Sequence, residues 1–306
     1  MPSPTVERLA AFTTTATGGN PAGVWIGSEL PPPAAMQEIA AEVGYSETAF
    51  LVRTGESDDD WMIRYYSPET EIEFCGHATV AAGTVLGRRF GERTFHLETS
   101  AGEVPVRVET TSDRVTATLT SVEPDRRDVP ATLRDGCLRA LGWSRSDLDP
   151  ALPLDLAYAG AWHMVVPVAD RPTLASLEYD FDALKEHMLA ADLTTIQIIW
   201  RERSHLFHAR NPFPVGGVVE DPATGAAAAA LGGYLRHHRL VELPADIVIR
   251  QGEDMGRPSR IDVHIPTHGG IDVSGHAVAI EPEEVDESVS SVEEPAGGVD
   301  HDAHST

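Results

Sequence analysis

The chain has 306 residues, 42% of them hydrophobic, enough for one large domain or two of ordinary size with a real core. Its formal charge of -25, from 23 Lys and Arg against 48 Asp and Glu, argues against the basic face that nucleic acid or an anionic membrane requires. Two cysteines, Cys75 and Cys137, form no CxxC and no readable disulfide framework, so a reducing cytoplasm is the expected location. The first residues lack the basic and apolar regions of a signal peptide, and no apolar run approaches the length needed to cross a bilayer.

Residues 6–12 read as an opening strand, 18–21 as a turn and 22–26 as a second strand. Pro31-Pro32-Pro33 starts a helix with Ala34, Met36, Ile39, Ala40 and Val43 on its apolar positions, and Gly44 stops it. Residues 46–52 and 61–66 are expected strands, and 68–73 a polar approach loop. A helix of small apolar residues follows at 78–86, a composition suited to burial on every side. Strands at 94–97, 104–108 and 115–119 close a first half, and 121–129 is a charged, proline-containing connector.

The second half begins with a helix at 133–141, an apolar strand at 164–168 and a helix at 181–190. Strands at 194–200 and 204–209 lead through 210–214 to a second small-residue helix ending near 238. Strands at 247–251, 260–265 and 276–280 complete the pattern. The same order of elements thus occurs twice, as a tandem duplication with diverged halves and not as a solenoid. The expected organisation is an N-terminal half, 1–120, a C-terminal half, 121–283, and an acidic disordered tail, 284–306.

Two glycine-to-helix junctions are the most informative feature. When Gly76 is aligned with Gly225, Ala78 matches Ala227, Ala81 matches Ala230, Gly83 matches Gly232 and Leu86 matches Leu235. Backbone N–H groups at such helix starts are unpaired and carry partial positive charge. Two of them facing one cleft would clamp an anionic substrate, with ionisable groups at hand.

Four segments carry a family resemblance: Phe12 through Gly19-Asn20-Pro21-Ala22, Tyr45-Ser46-Glu47-Thr48-Ala49-Phe50, Ser67 through Cys75-Gly76-His77-Ala78-Thr79, and Glu220-Asp221-Pro222-Ala223-Thr224-Gly225. Together they span most of residues 6–280, and the chain resembles the PhzF-like isomerases of phenazine biosynthesis. The resemblance implies an α+β, diaminopimelate epimerase-like fold: two similar halves, each a curved, mostly antiparallel sheet wrapped around a central helix. It implies an active site between the two helix starts, no cofactor, no metal and a homodimer.

Moving a proton between carbons needs a base near the C–H bond and an acid to return the proton. Glu47 opens an otherwise apolar strand; it is either an exposed strand-end glutamate or a partly desolvated one whose pKa rises toward neutrality. The resemblance assigns it the proton transfer. His77 lies in the first helical turn, where the helix start favours a neutral imidazole. Asp221 precedes the second helix, whose dipole favours its carboxylate. Either is also open to a structural reading, as a core histidine and as an N-cap or Asx-turn aspartate. Facing halves would bring His77 and Asp221 together across the cleft, with Asp221 either orienting and polarising His77 or acting as a second acid/base. Gly76 and Gly225, with the N–H groups of His77 and Ala226, would hold a substrate carboxylate, and Asn20 would hydrogen-bond substrate from its turn.

Two departures from the family pattern concern the substrate: Ala226 stands where serine is common, and Glu73 where proline is frequent. No cysteine accompanies Cys75 at the second junction, which disfavours two-thiol epimerisation. The pairs His205/His208 and His237/His238 have no third ligand at a recognised metal spacing. The expected function is a cofactor-independent isomerase of a small carboxylate-bearing molecule; the alternatives are a racemase or epimerase on the same fold and a non-catalytic binding protein.

Lys185 is the only lysine in this carboxylate-rich chain, a pattern of proteins that work in high salt, with a GC-rich genome the other source of an arginine bias. A salt-adapted protein should melt at rising temperature along a series up to molar salt. A melting temperature indifferent to salt overturns that reading.

Overall fold

Helices built from small residues can be sheathed closely by strands, and two such helices are the axes of this molecule. A computed structural model describes residues 5–111 and 114–281, so the expected tail at 284–306 lies outside the described residues. The first half runs β1 (Glu7–Ala11), β2 (Asn20–Gly27), α1 (Pro33–Val43), β3 (Glu47–Arg53), β4 (Asp60–Tyr66), β5 (Glu71–Ile72), α2 (Gly76–Phe90), β6 (Arg93–Thr99), β7 (Gly102–Thr111) and β8 (Arg114–Thr120). The second begins with β9 (Asp125–Arg127), α3 (Ala131–Ala140), β10 (Asp155–Tyr158), β11 (Trp162–Pro167), α4 (Arg171–Ala175), α5 (Phe181–Ala190) and β12 (Thr195–Arg203). It continues with β13 (Leu206–Phe213), β14 (Val218–Asp221), α6 (Gly225–His237), β15 (Ala245–Gln251), β16 (Ser259–Ile265) and β17 (Asp272–Ala279).

With β9, α3 and α4 set aside, the two halves have the same order of elements, from β1 to β8 and from β10 to β17. Their pairing also matches. Strand β2 runs parallel to β3 and β4 parallel to β6; β11 runs parallel to β12 and β13 parallel to β15. The remaining strand pairs are antiparallel. Each parallel pair is bridged by a helix, as a crossover connection requires. Strand β17 also pairs with β8 and β1, so the C-terminal strand closes the sheet around α2, beyond the expected boundary at residue 120.

Every residue of α2 from His77 to Gly87 is buried, as are Ala227 to Leu235 of α6. One apolar cluster fills both sheaths around these helices. Outside the sheets, α1 covers Trp25, Phe50 and Tyr66, while α3 and α5 cover Met164, Ile196 and Ile198. Among the described residues no helix is long and apolar enough to cross a membrane.

Several element bounds differ from the sequence expectation, each for a tertiary reason. The opening strand ends at Ala11, because Phe12 takes φ 62 and turns its N–H to the carbonyl of His276 at 2.7 Å. The approach loop at 68–73 contains β5, which pairs with β4, and the connector at 121–129 contains β9, which pairs with β10. Strand β13 runs on to Phe213 through Pro212, because β14 pairs beside it with a register shift at Pro212/Phe213. The last strand begins at Asp272, since its first residues have two partner strands, β8 and β16.

The helical glycines set how closely strand and helix approach. A Cβ on Gly87 would stand 2.4 Å from Val108 Cγ1 and 2.9 Å from Val115 Cγ1. Ala favours an exposed helix interior over Gly by about 1 kcal/mol, whereas overpacking costs about 1–3 kcal/mol. Both obstructing atoms belong to stiff β-branched side chains, so overpacking should win. Gly87→Ala should therefore lower the melting temperature; a rise would overturn this account of the packing.

Candidate active site

The starts of α2 and α6 meet head to head. A Cβ on Gly76 would stand 3.8 Å from Gly225 Cα and 3.9 Å from Ala226 N. Neither helix has a side-chain cap or an acidic residue in its first turn, so their leading N–H groups have no side-chain acceptor from the N-cap. Beneath Gly225 lies the ring of Phe12, whose Cζ is 3.4 Å from where a Cβ would be. The left-handed backbone at Phe12, strained for a residue with a Cβ, directs that ring there.

Around this meeting point the fold gathers side chains from four places. Glu47 opens β3, His77 is in the first turn of α2, Asn20 opens β2 and Asp221 ends β14. His77 Nε2 lies 3.1 Å from Glu47 Oε2, with only 8% and 15% of the two side chains exposed. Asn20, 2% exposed, stands between His77 and Asp221. Its Nδ2 lies 3.1 Å from His77 Nδ1 and donates to Asp221 Oδ1 at 2.7 Å and to the Ala223 carbonyl at 3.2 Å. The expected direct meeting of His77 with Asp221 is thus replaced by Asn20 standing between them, its amide nitrogen donating to Asp221 and Ala223. Gly76 and Ala226 are partly exposed on the rim, while Gly225 is buried.

The electrostatics correct three expectations. Burial pushes the Glu47 carboxyl up, but the hydrogen bond and charge of His77 outweigh it and hold the group below the ordinary carboxylate range, not near neutrality. Burial likewise opposes charge on His77, yet the Glu47 carboxylate 3.1 Å away holds its pKa well above the usual histidine value. The helix start alone would have kept it neutral; the facing carboxylate reverses that. Burial drives Asp221 the other way, up to about 6, against the His77 charge and a hydrogen bond from Thr224. The helix dipole does not keep Asp221 acidic, because Thr224, not Asp221, is the N-cap residue of α6. Two carboxyl groups in one site therefore have pKa values pushed apart, one held as a base and one able to carry a proton near neutral pH.

Sequence reasoning missed several neighbours. Ser46 Oγ lies 3.4 Å from His77 Nε2, and Cys75 Sγ lies 3.4 Å from His77 Nδ1. Thr224 Oγ1 donates to Asp221 Oδ2 at 2.6 Å, and Gln251 from the end of β15 reaches both. Ser46, Cys75 and Thr224 adjoin the junction motifs and could have been found there; nothing near Gln251 in the sequence signals its place. Glu47, Cys75 and His77 bring one potential metal ligand each within 4.8 Å of one another, the one such group among the described residues. Burial pushes the Cys75 thiol up to about 11, whereas metal binding needs the thiolate. A metal would also have to displace the close ion pair of His77 and Glu47, 3.1 Å apart, so the donor set fits acid/base chemistry better than an ion.

The raised Asp221 has a thermodynamic consequence. A carboxyl whose folded pKa lies above its unfolded value favours folding in acid and loses that contribution as pH rises through the folded value, here about 6 against an ordinary 3.8. Compared with Asp221→Asn, the wild type should lose up to about 3 kcal/mol of stability between about pH 4 and pH 7. Denaturant unfolding of both proteins across that range checks it, and parallel pH profiles would overturn it.

The family model described as "Phenazine biosynthesis-like protein" (PhzC-PhzF) matches residues 9–282. A protein of Deinococcus radiodurans named as an uncharacterized isomerase is 34% identical over 270 residues, covering 86% of this chain and 87% of that one. The trans-2,3-dihydro-3-hydroxyanthranilate isomerase of Pseudomonas fluorescens is 32% identical over 252 residues, covering 82% and 86%. Among solved structures, the Bacillus anthracis phenazine biosynthesis protein of the PhzF family superposes with a TM-score of 0.81 at 24% identity, over 92% of this chain and 98% of that one. Its fold, two sheathed helices meeting at their starts, is the diaminopimelate epimerase-like fold expected from the sequence. The chain belongs to the phenazine biosynthesis-like (PhzC-PhzF) family and, like its named relatives, is an isomerase.

Proposed function

We propose that this isomerase moves a proton between two carbons of a small carboxylate-bearing substrate, with Glu47 as the group that carries it. The carrying observation is the convergence of Glu47, His77 and Asp221, from three separate elements, on one mostly buried site at the two helix starts. Glu47, held as a carboxylate, takes the proton as the C–H bond breaks, and the electron pair moves along a conjugated or carbonyl-activated system. The same carboxyl returns the proton at a second carbon, so composition and oxidation level are unchanged and no cofactor is needed. His77 and Asp221 polarise the substrate. The N–H groups of Gly76, His77, Gly225 and Ala226 bind its carboxylate, supported by the uncapped helix starts. Asn20 adds a substrate contact on the side away from its protein-bonded nitrogen.

The named substrate of the Pseudomonas relative makes cyclohexadiene and aromatic carboxylates the first class to assay. Ala226 supplies no hydroxyl at the rim, so the accepted substrate needs no partner there. The halves 1–120 and 121–283 are the two working units, and the active form is a cytoplasmic homodimer, testable by sedimentation. Two-thiol epimerisation is not favoured: Thr224 stands at the α6 N-cap where Cys75 stands on α2, and burial keeps Cys75 protonated.

Solvent deuterium incorporation into a panel of small cyclohexadiene and aromatic carboxylates tests the reading. The wild type should incorporate deuterium with migration along the molecule, and Glu47→Gln should slow this by about three orders of magnitude with fold and binding retained. Exchange by Glu47→Gln at the wild-type rate would overturn it, and inversion at a single carbon would assign an epimerase instead.

A further inference from the structure

Gln251 ends β15, is 1% exposed, and among the described residues makes its side-chain hydrogen bonds only to the second junction. Its Oε1 accepts from the Thr224 backbone N–H at 3.3 Å, and its Nε2 donates to the Asp221 carbonyl at 2.7 Å. One bond takes a donor and the other an acceptor, so the amide can sit only one way round. The second Nε2 hydrogen then points at Thr224 Oγ1, 3.0 Å away. A hydroxyl has a single proton. With Thr224 Oγ1 already accepting from Gln251, that proton is left for Asp221 Oδ2, at 2.6 Å. On the other side, Asn20 Nδ2 donates to Asp221 Oδ1 at 2.7 Å.

We propose that Gln251 is a positioning residue that fixes the direction of the Thr224 hydroxyl and so keeps both Asp221 oxygens as hydrogen-bond acceptors. Hydrogen bonds donated to both oxygens favour the carboxylate over the acid. They oppose the burial that pushes Asp221 up to about 6. The ionisable groups facing Asp221 are His77 from α2, which favours the carboxylate, and Glu47 from β3, which disfavours it. Among the described residues neither hydrogen-bonds Asp221, so its two bonds come from the neutral Asn20 and Thr224. Without Gln251 the Thr224 hydroxyl is free to turn round and accept from protonated Asp221, stabilising the acid form. The control is therefore indirect: Gln251 acts on Asp221 through Thr224.

The inference rests on the proton-transfer reading only for its catalytic meaning; the titration itself needs no substrate. The test is the carboxyl carbon resonance of Asp221 followed against pH in the free protein, assigned by its loss in Asp221→Asn. Gln251→Met should raise the Asp221 midpoint by about 1 pH unit or more. Thr224→Val should raise it similarly, Thr224→Ser should leave it near the wild-type value, and Gln251→Met should add nothing in the Thr224→Val background. An unchanged midpoint in folded Gln251→Met, or a further full shift in the double variant, overturns the proposal. If Gln251→Met does not fold, the contrast between Thr224→Val and Thr224→Ser decides, and equal midpoints in those two overturn it. A shifted midpoint in a protein that exchanges no deuterium into any substrate would sink the proton-transfer reading alone.

Discussion

The structure depends on the close approach of two helix starts. The backbones of α2 and α6 can meet head to head because Gly76 and Gly225 carry no Cβ. Like ends of two helix dipoles repel, and neither helix brings an acidic residue in its first turn to offset this. The apolar sheaths around the two helices hold the arrangement in place, and its electrostatic cost concentrates where a substrate anion would relieve it. The positive φ at Phe12, whose ring underlies Gly225, belongs to the same local compromise.

Polar side chains around this meeting point are arranged in a chain. Glu47 faces His77, Asn20 joins His77 to Asp221, and Thr224 with Gln251 completes the far side. Burial disfavours charge at Glu47, His77 and Asp221 alike. The outcome at each residue depends on which partner faces it: His77 holds Glu47 as a carboxylate, whereas Asp221 has no cation in direct contact among the described residues. Internal duplication produced the scaffold and divergence produced the chemistry. The first junction has His77 where the second has Ala226, and Cys75 where the second has Thr224. The site is therefore asymmetric although the fold is nearly symmetric.

Outside the centre, the shared strand β17 ties the halves together. Its first residues pair with β8 and β16, and its last with β1. The halves therefore cannot rotate freely about a single linker, and the spacing of the two helix starts is set by sheet hydrogen bonds as well as by core packing. Segment 257–258 adds a second tie: Arg257 donates to the Gly18 and Gly19 carbonyls at 2.8 Å each, and Gly19 N–H donates to Pro258. These bonds anchor the turn that carries Asn20.

The sequence by itself determined the duplication, the two buried helices and the motif residues at their starts. Small residues in long apolar helices and glycines at matched positions are local signals, readable without knowing what lies nearby. It placed His77 and Asp221 at those starts, and the family resemblance singled out Glu47 and Asn20 with them. The short strands β5 and β9, the extension of β13 through Pro212 and the early start of β17 were decided by partner strands far away in the chain. Only the tertiary structure decided the charge states, because a pKa depends on which groups face each other after folding. Sequence position suggested a neutral His77 and an acidic Asp221. The folded protein places a carboxylate against the first and half-buries the second among neutral donors. Gln251 lies 26 residues beyond Gly225 with no local signal, and it reaches Asp221 because β15 ends beside the junction.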